Sequence, residues 1–382
     1  MNQIALISTF PPTQCGIASY SNDLLENSNF IDSKIRYVPI NLVPENHEIF
    51  EHSIFKKNII QSKLEDYLQL AEWINYSDII IVNIQHEFKL FGKPFGENIL
   101  PFINSLKKPI VTTLHTVWNH FPDSRAEILK EIVRISSAVF VFSEKTKLSI
   151  TSYYCNDSDK IHIIPHGVPS IENEYLTKVN VLKTVDSSPI FISFGHLRAS
   201  KGYDVAIHAF SKLKEIIPNF NYFILGSNHP QNDTAIAYRE KLKHLILELR
   251  LEDNVHFINR FLPKTELIGY IQMADVGLTP YLSKEQSSSG VLALLIACGK
   301  PIISTPFEFA QYIISPNSGF IAKGFQATDF ENVIEEFLNT PDELINNMRT
   351  TNYQIGKQWS WKEVAMTYQK VSLEILKKTI KN

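Results

Sequence analysis

Short runs rich in β-branched residues alternate with longer amphipathic stretches along the whole chain, the pattern of a parallel sheet with crossover helices. In the first half the strands read as Ile4–Ser8, Ile35–Ile40, Ile79–Ile84, Ile110–Leu114, Ala138–Phe142 and His162–Ile164. Helices such as Ala18–Asn27 and Arg125–Ile135 lie between them. After a polar stretch from Glu172 to Ser188 come Ile190–Phe194, Asn221–Leu225, Val255–Ile258, Val276–Thr279, Pro301–Ser304 and Phe320–Ala322. Runs such as DIIIVNI and PIVTTL are apolar without alternation, so both faces of these strands need cover, as in doubly wound sheets. A length of 382 residues also exceeds what one core usually organises. The expected fold is α/β: two Rossmann-like, doubly wound parallel-sheet domains facing across a cleft, with ligands beyond the carboxyl ends of the strands.

Charge narrows the partners. With 37 basic and 40 acidic residues the net charge is −3, which argues against a general nucleic-acid binder. Cys15, Cys155 and Cys298 lie far apart without CxxC spacing, so neither a disulfide framework nor a zinc site is expected, and a reducing cytoplasm fits. Met1 to Phe10 lacks the basic start of a secretory signal, and the longest apolar run, Val291–Cys298, has eight residues against about 20 for a membrane span.

Five segments carry candidate chemistry. Strand one leads into FPPTQCGIASY, where Gly16 allows a ligand close to the backbone at a helix start, although a tight turn explains the same letters. The third strand ends in His86-Glu87 and the next in His115, two histidines at one sheet edge; each reads as a sugar-contacting group or as a structural histidine. In Phe194–Gly202, Lys201 beside a helix start can neutralise a phosphate, with Arg198 or His196 assisting, or be a solvated loop charge. Finally, Glu285-Gln286-Ser287-Ser288-Ser289-Gly290 opens the apolar run, either offering amides to a diphosphate or simply capping a helix. Metal binding is not expected, because HExxH is absent and His162 and His166 flank Ile-Ile-Pro.

These segments, with PHGVP at 165–169, ADVGLTPY at 274–281 and ACGKPIISTP at 297–306, resemble in order the family 4 glycosyltransferases of the GT-B fold. The likeness covers nearly the whole chain and is strongest to a bacterial subgroup with CGIA, NIQHEF, TTLHT, PHG and Q-x-x-SG motifs. It implies an acceptor-side domain at 1–178, a nucleotide-sugar domain at 185–358, and a final helix, 359–382, packing back on the first. It further implies that His86, Glu87 and Gln286 serve catalysis, and that His115 and His166 meet sugar or acceptor. The donor would be bound by Gly16, His196, Arg198, Lys201, Glu285, Ser288, Ser289 and Gly290. Two departures stand out. His196 occupies a place often held by arginine, and the family's E-x7-E acids fall on Gln286 and Leu294.

The activity so implied is metal-independent, retaining hexosyl transfer from a nucleoside diphosphate sugar, without cofactor, to a glycan, lipid-linked or protein acceptor in bacterial glycoconjugate synthesis. The location expected is cytoplasmic; Lys56, Lys57, Lys63, Lys107, Lys108, Lys377, Lys378 and Lys381 read first as ordinary solvated charges, and otherwise as a weak peripheral contact at the inner membrane. The rival readings are a noncatalytic sugar-nucleotide-binding subunit, or another GT-B activity such as epimerase or phosphorylase.

Overall fold

The computed structural model describes residues 2–31, 35–45, 54–92, 94–171, 188–226 and 233–381. The polar stretch at 172–187, with the boundary positions 178 and 185, and the side chain of Lys381 lie outside the described residues. The chain divides into two compact units, Met1–Gly167 with Trp361–Asn382, and Val168–Ser360.

In unit 1 the strands are β1 (Asn2–Ser8), β2 (Ile35–Val43), β3 (Lys57–Ile60), β4 (Ile79–His86), β5 (Ile110–Leu114), β6 (Ala138–Val141) and β7 (Ile161–Ile163). They pair in the order β3-β2-β1-β4-β5-β6-β7, every pair parallel. Six of the seven follow from apolar runs. The seventh, β3, is an edge strand of four residues that opens on exposed Lys57 and buries only Ile59, too little pattern to stand out in a sequence. The helices are α1 (Gly16–Ile31), α2 (Leu64–Tyr76), α3 (Ile99–Ser105), α4 (Arg125–Ile135), α5 (Glu144–Tyr153) and the C-terminal helix Trp361–Lys381.

Alternation along β1 and β4 splits the core. Ala5, Ile7, Val82 and Ile84 pack with Tyr67 and Leu70 of α2, Phe102 of α3 and Leu129 of α4. Asn83 and Gln85 point the other way, and Gln85 meets Thr113, which is bonded to Tyr368 of the C-terminal helix. Trp361 opens that helix, whereas Trp359 lies before it, in unit 2 against Val168, Ala293 and Ala297, so the helix starts two residues later than expected. Of the basic positions, Lys57 lies 5.5 Å over the Trp73 ring and Lys63 pairs with Asp66 at 3.1 Å.

Unit 2 runs β8 (Ile190–Phe194), α6 (Tyr203–Leu213), β9 (Asn221–Leu225), α7 (Asp233–Glu248), β10 (Val255–Ile258), α8 (Lys264–Met273), β11 (Val276–Thr279), α9 (Gly290–Ala297), β12 (Ile302–Ser304), α10 (Glu308–Ile313), β13 (Gly319–Ile321), α11 (Ala327–Leu338) and α12 (Asp342–Gln358). Its six parallel strands lie in the order β10-β9-β8-β11-β12-β13. Each sheet reverses its winding once, between β1 and β4 and between β8 and β11. At such a switch the following loops diverge, leaving a crevice at the strands' carboxyl ends. Among the described residues no helix is long and apolar enough to cross a membrane.

Candidate functional site

Each switch point collects residues singled out in the sequence. In unit 2 the loop after β8 is shaped by two glycines at positive φ, Gly195 at 123° and Gly202 at 63°. A Cβ on Gly202 would fall 1.9 Å from the Pro280 carbonyl oxygen, so only glycine lets this loop close on the one after β11. The Leu282 amide donates to the Ser200 carbonyl at 2.9 Å and completes the clasp. Lys201 is thereby held with its ammonium 3.5 Å from the centre of the Tyr281 ring. Burial, and secondarily the Arg198 charge, push its pKa down to about 7. A lysine poised between charged and neutral gains most from an anion. Arg198 itself is exposed on extended backbone, and His196 is half-buried in the same loop.

The loop after β11 brings the serines to the start of α9. Ser289 is the N-cap, its hydroxyl accepting from the Leu292 amide at 3.2 Å, and Gly290 follows as the first helical residue. The cap and the anion-binding reading hold together, because the first-turn amides of α9 open at the switch point beside the Lys201 loop. Gln286 donates from Nε2 to the Ser288 carbonyl at 2.8 Å, so its side chain shapes this turn. Glu285 is exposed, and Leu294 lies half-buried about one turn into α9.

In unit 1, Gly16 opens α1, and a Cβ there would meet nothing within 4 Å. Packing does not demand glycine at this position. Cys15 Sγ accepts from the Ala18 amide at 3.3 Å, capping the helix start. At the end of β4, His86 is completely buried, its ring stacked on Phe91 and edge-on to Phe88. Neither ring nitrogen has a hydrogen-bond partner among the described residues, and burial holds its pKa down at about 3. Glu87 accepts from the Thr116 hydroxyl at 2.6 Å and joins the ends of β4 and β5.

His115 and His166 share a different neighbour. Tyr20 of α1 presents its ring to both, at 4.9 and 5.2 Å between centres, with Phe142 flanking the pair. His166 Nδ1 lies 3.2 Å from the Gly167 carbonyl, and burial lowers its pKa to about 4. Burial, the nearby His166 and then His86 hold His115 well below its ordinary value. Both are neutral imidazoles, fit to exchange hydrogen bonds with hydroxyls. The sequence reading gave no site role to Tyr20, Gln85, Thr113 and Tyr368 beneath them. It quoted Tyr281 within ADVGLTPY without giving it a role. Among the described residues no group of three or more His, Cys, Asp or Glu is arranged to hold a metal ion.

Residues 177–355 match the family described as glycosyl transferases group 1, and residues 33–170 match glycosyltransferase family 4. The chain carries the two domains of a GT-B glycosyltransferase. Sucrose-phosphate synthase from Thermosynechococcus elongatus superposes on this GT-B chain with a TM-score of 0.80 at 15% identity, covering 99% of this chain and 100% of that one. Anabaena HepE in complex with UDP-glucose gives 0.78 at 14%, covering 98% and 100%. Among curated relatives, an uncharacterized glycosyltransferase of Haemophilus influenzae is 28% identical over 48% of this chain and 46% of its own length. D-inositol 3-phosphate glycosyltransferase of Jonesia denitrificans is 22% identical over 67% of this chain and 64% of its own length. The alignments therefore span less than two thirds of those relatives.

Proposed function

We propose that this protein transfers a hexose from a nucleoside diphosphate sugar to an acceptor hydroxyl, with retention at the transferred carbon. The observation that carries the reading is Lys201, held over Tyr281 at the unit 2 switch point beside the amide-rich start of α9. Breaking the glycosidic bond leaves negative charge on the departing diphosphate, and a fixed cation with oriented amides stabilises that charge as it forms. The structure of HepE with UDP-glucose supports a nucleoside diphosphate sugar as donor. We assign this counter-charge to Lys201 and the helix start rather than to a metal ion, so turnover is expected to survive EDTA. The acceptor is a glycan, a lipid-linked glycan or a protein, and the reaction is placed in the cytoplasm, where the three thiols stay reduced.

Lys201→Ala is expected to weaken nucleoside diphosphate binding about 10- to 150-fold, the loss of one charge-assisted contact of roughly 1.5–3 kcal/mol. The wild type carries a second signature. With a free-state pKa of about 7, the binding form of Lys201 is depleted as pH rises above that value. Affinity should fall between pH 7 and 9, and the fall should vanish in Lys201→Ala. Calorimetric titrations with the nucleotide check both: unchanged affinity in Lys201→Ala would remove Lys201 from the phosphates, and pH-independent wild-type affinity would show that its free-state pKa does not lie near 7. A panel of nucleotide sugars tests the activity itself: transfer or donor hydrolysis supports it, binding without turnover indicates a sensor, and a new sugar nucleotide an epimerase.

Within unit 1 we assign the sugar-facing role to His115, with His166 beside it, because Tyr20 braces both rings, whereas His86 is enclosed by Phe88 and Phe91. His115→Ala should lower kcat about 100-fold or more while nucleoside diphosphate affinity stays near wild type. His86→Leu, which removes two orphaned polar atoms, should fold normally and keep most of the turnover. The reverse pattern of rates would give the catalytic role back to His86.

A further inference from the structure

Behind His115 lies a buried chain of polar groups drawn from four distant segments. The β4–β5 register sets Gln85 directly across from Thr113. Gln85 Nε2 donates to Asn83 Oδ1 at 2.8 Å and to Thr113 Oγ1 at 3.2 Å. The Thr113 hydroxyl lies 2.5 Å from the Tyr368 hydroxyl of the C-terminal helix, which in turn lies 3.1 Å from that of Tyr20. All five side chains are buried, so none trades these bonds for water at little cost. Both N–H bonds of the Gln85 amide are committed to this chain, and its remaining atom, Oε1, sits 3.0 Å from His115 Nε2.

A carboxamide oxygen only accepts, so the nitrogen facing it must carry hydrogen. We propose that Gln85 is a positioning residue that fixes His115 as the Nε2–H tautomer, making Nδ1 the acceptor nitrogen of the ring. The assignment rests on the reading of His115 as the sugar-facing histidine. An imidazole free to choose its tautomer presents the wrong nitrogen to a hydroxyl part of the time. One locked from behind by an anchored amide presents a lone pair in a fixed direction. The network also makes the C-terminal helix part of the site's support, because Tyr368 holds Thr113, and Thr113 holds Gln85.

The test is the nitrogen spectrum of the full-length protein labelled with 15N-histidine, the His115 signals being identified by their loss in His115→Asn. The expected result is a protonated Nε2 and an unprotonated Nδ1. Gln85→Leu should erase that preference and lower kcat about tenfold or more without changing nucleoside diphosphate affinity. A wild-type proton on Nδ1 overturns the proposal, and that spectrum decides even where Gln85→Leu does not fold. A folded Gln85→Leu with unchanged tautomer and unchanged kcat overturns it as well. Full turnover by His115→Ala would instead overturn the sugar-facing role of His115, leaving the tautomer assignment standing.

Discussion

A chain ending at Ser360 is expected to lose the fold of unit 1 while unit 2 keeps its strands. The C-terminal helix inserts Trp361, Val364, Tyr368, Val371 and Ile375 as buried side chains. It also bonds Tyr368 to Thr113 and Tyr20, and Gln369 Nε2 donates to the Ser28 carbonyl at 2.9 Å. At about 1.5–3 kcal/mol for each large apolar side chain, the five together contribute about 8–15 kcal/mol. That equals the whole net stability of a typical domain, about 5–15 kcal/mol. Unit 2 has its own core around Phe191, Phe210, Tyr222 and Phe330, and the cut leaves Trp359 in place there. Hydrogen exchange should show fast exchange across β1, β4 and β5 and retained protection across β8 and β9. Wild-type protection of β4 and β5 in the shortened chain would show that unit 1 does not depend on the helix.

Acid should destabilise unit 1 well before its carboxylates protonate. His86, His115 and His166 are all held neutral by burial, with pKa values of about 3 for His86 and about 4 for His166. In the unfolded chain each titrates near 6.5. Between these limits the unfolded state binds more protons than the folded one, so stability rises with pH and is lost as pH falls below about 6.5. The slope is about 1.4 kcal/mol per pH unit for each ring, or roughly 2 kcal/mol apiece between pH 6.5 and 4.5. Asp123, whose carboxyl Arg125 holds below its usual value, loses its contribution only at lower pH and does not enter this window. Urea titrations at pH 6.5, 5.5 and 4.5 measure the slope. The double variant His86→Leu, His166→Asn should flatten most of it, and an unflattened slope would place the proton uptake elsewhere.

How far the sequence reaches is visible residue by residue. Buried parallel strands announce themselves because the apolar residues that need cover on both faces are neighbours in the chain, as in Ile79–Ile84 and Ile110–Leu114. A strand defined only by its partner leaves no such mark, and Lys57–Ile60 exists because β2 offers it an open edge. The Lys201 loop and the serines before α9 were legible for the same local reason: glycine and small polar residues mark where backbone turns and helices begin. Tertiary structure alone decided what surrounds them. The ring of Tyr281 beneath Lys201 and the burial that lowers its pKa come from two strands' loops closing together. The two histidines at one sheet edge looked alike as letters, yet His86 is enclosed by phenylalanines, whereas His115 shares Tyr20 with His166. Tyr20 and Tyr368, 348 residues apart, meet through their hydroxyls because the sheet register and the returning C-terminal helix bring them together. A hydrogen bond depends on separation in space, and only local sequence carries that information forward unaided; the rest is set by packing.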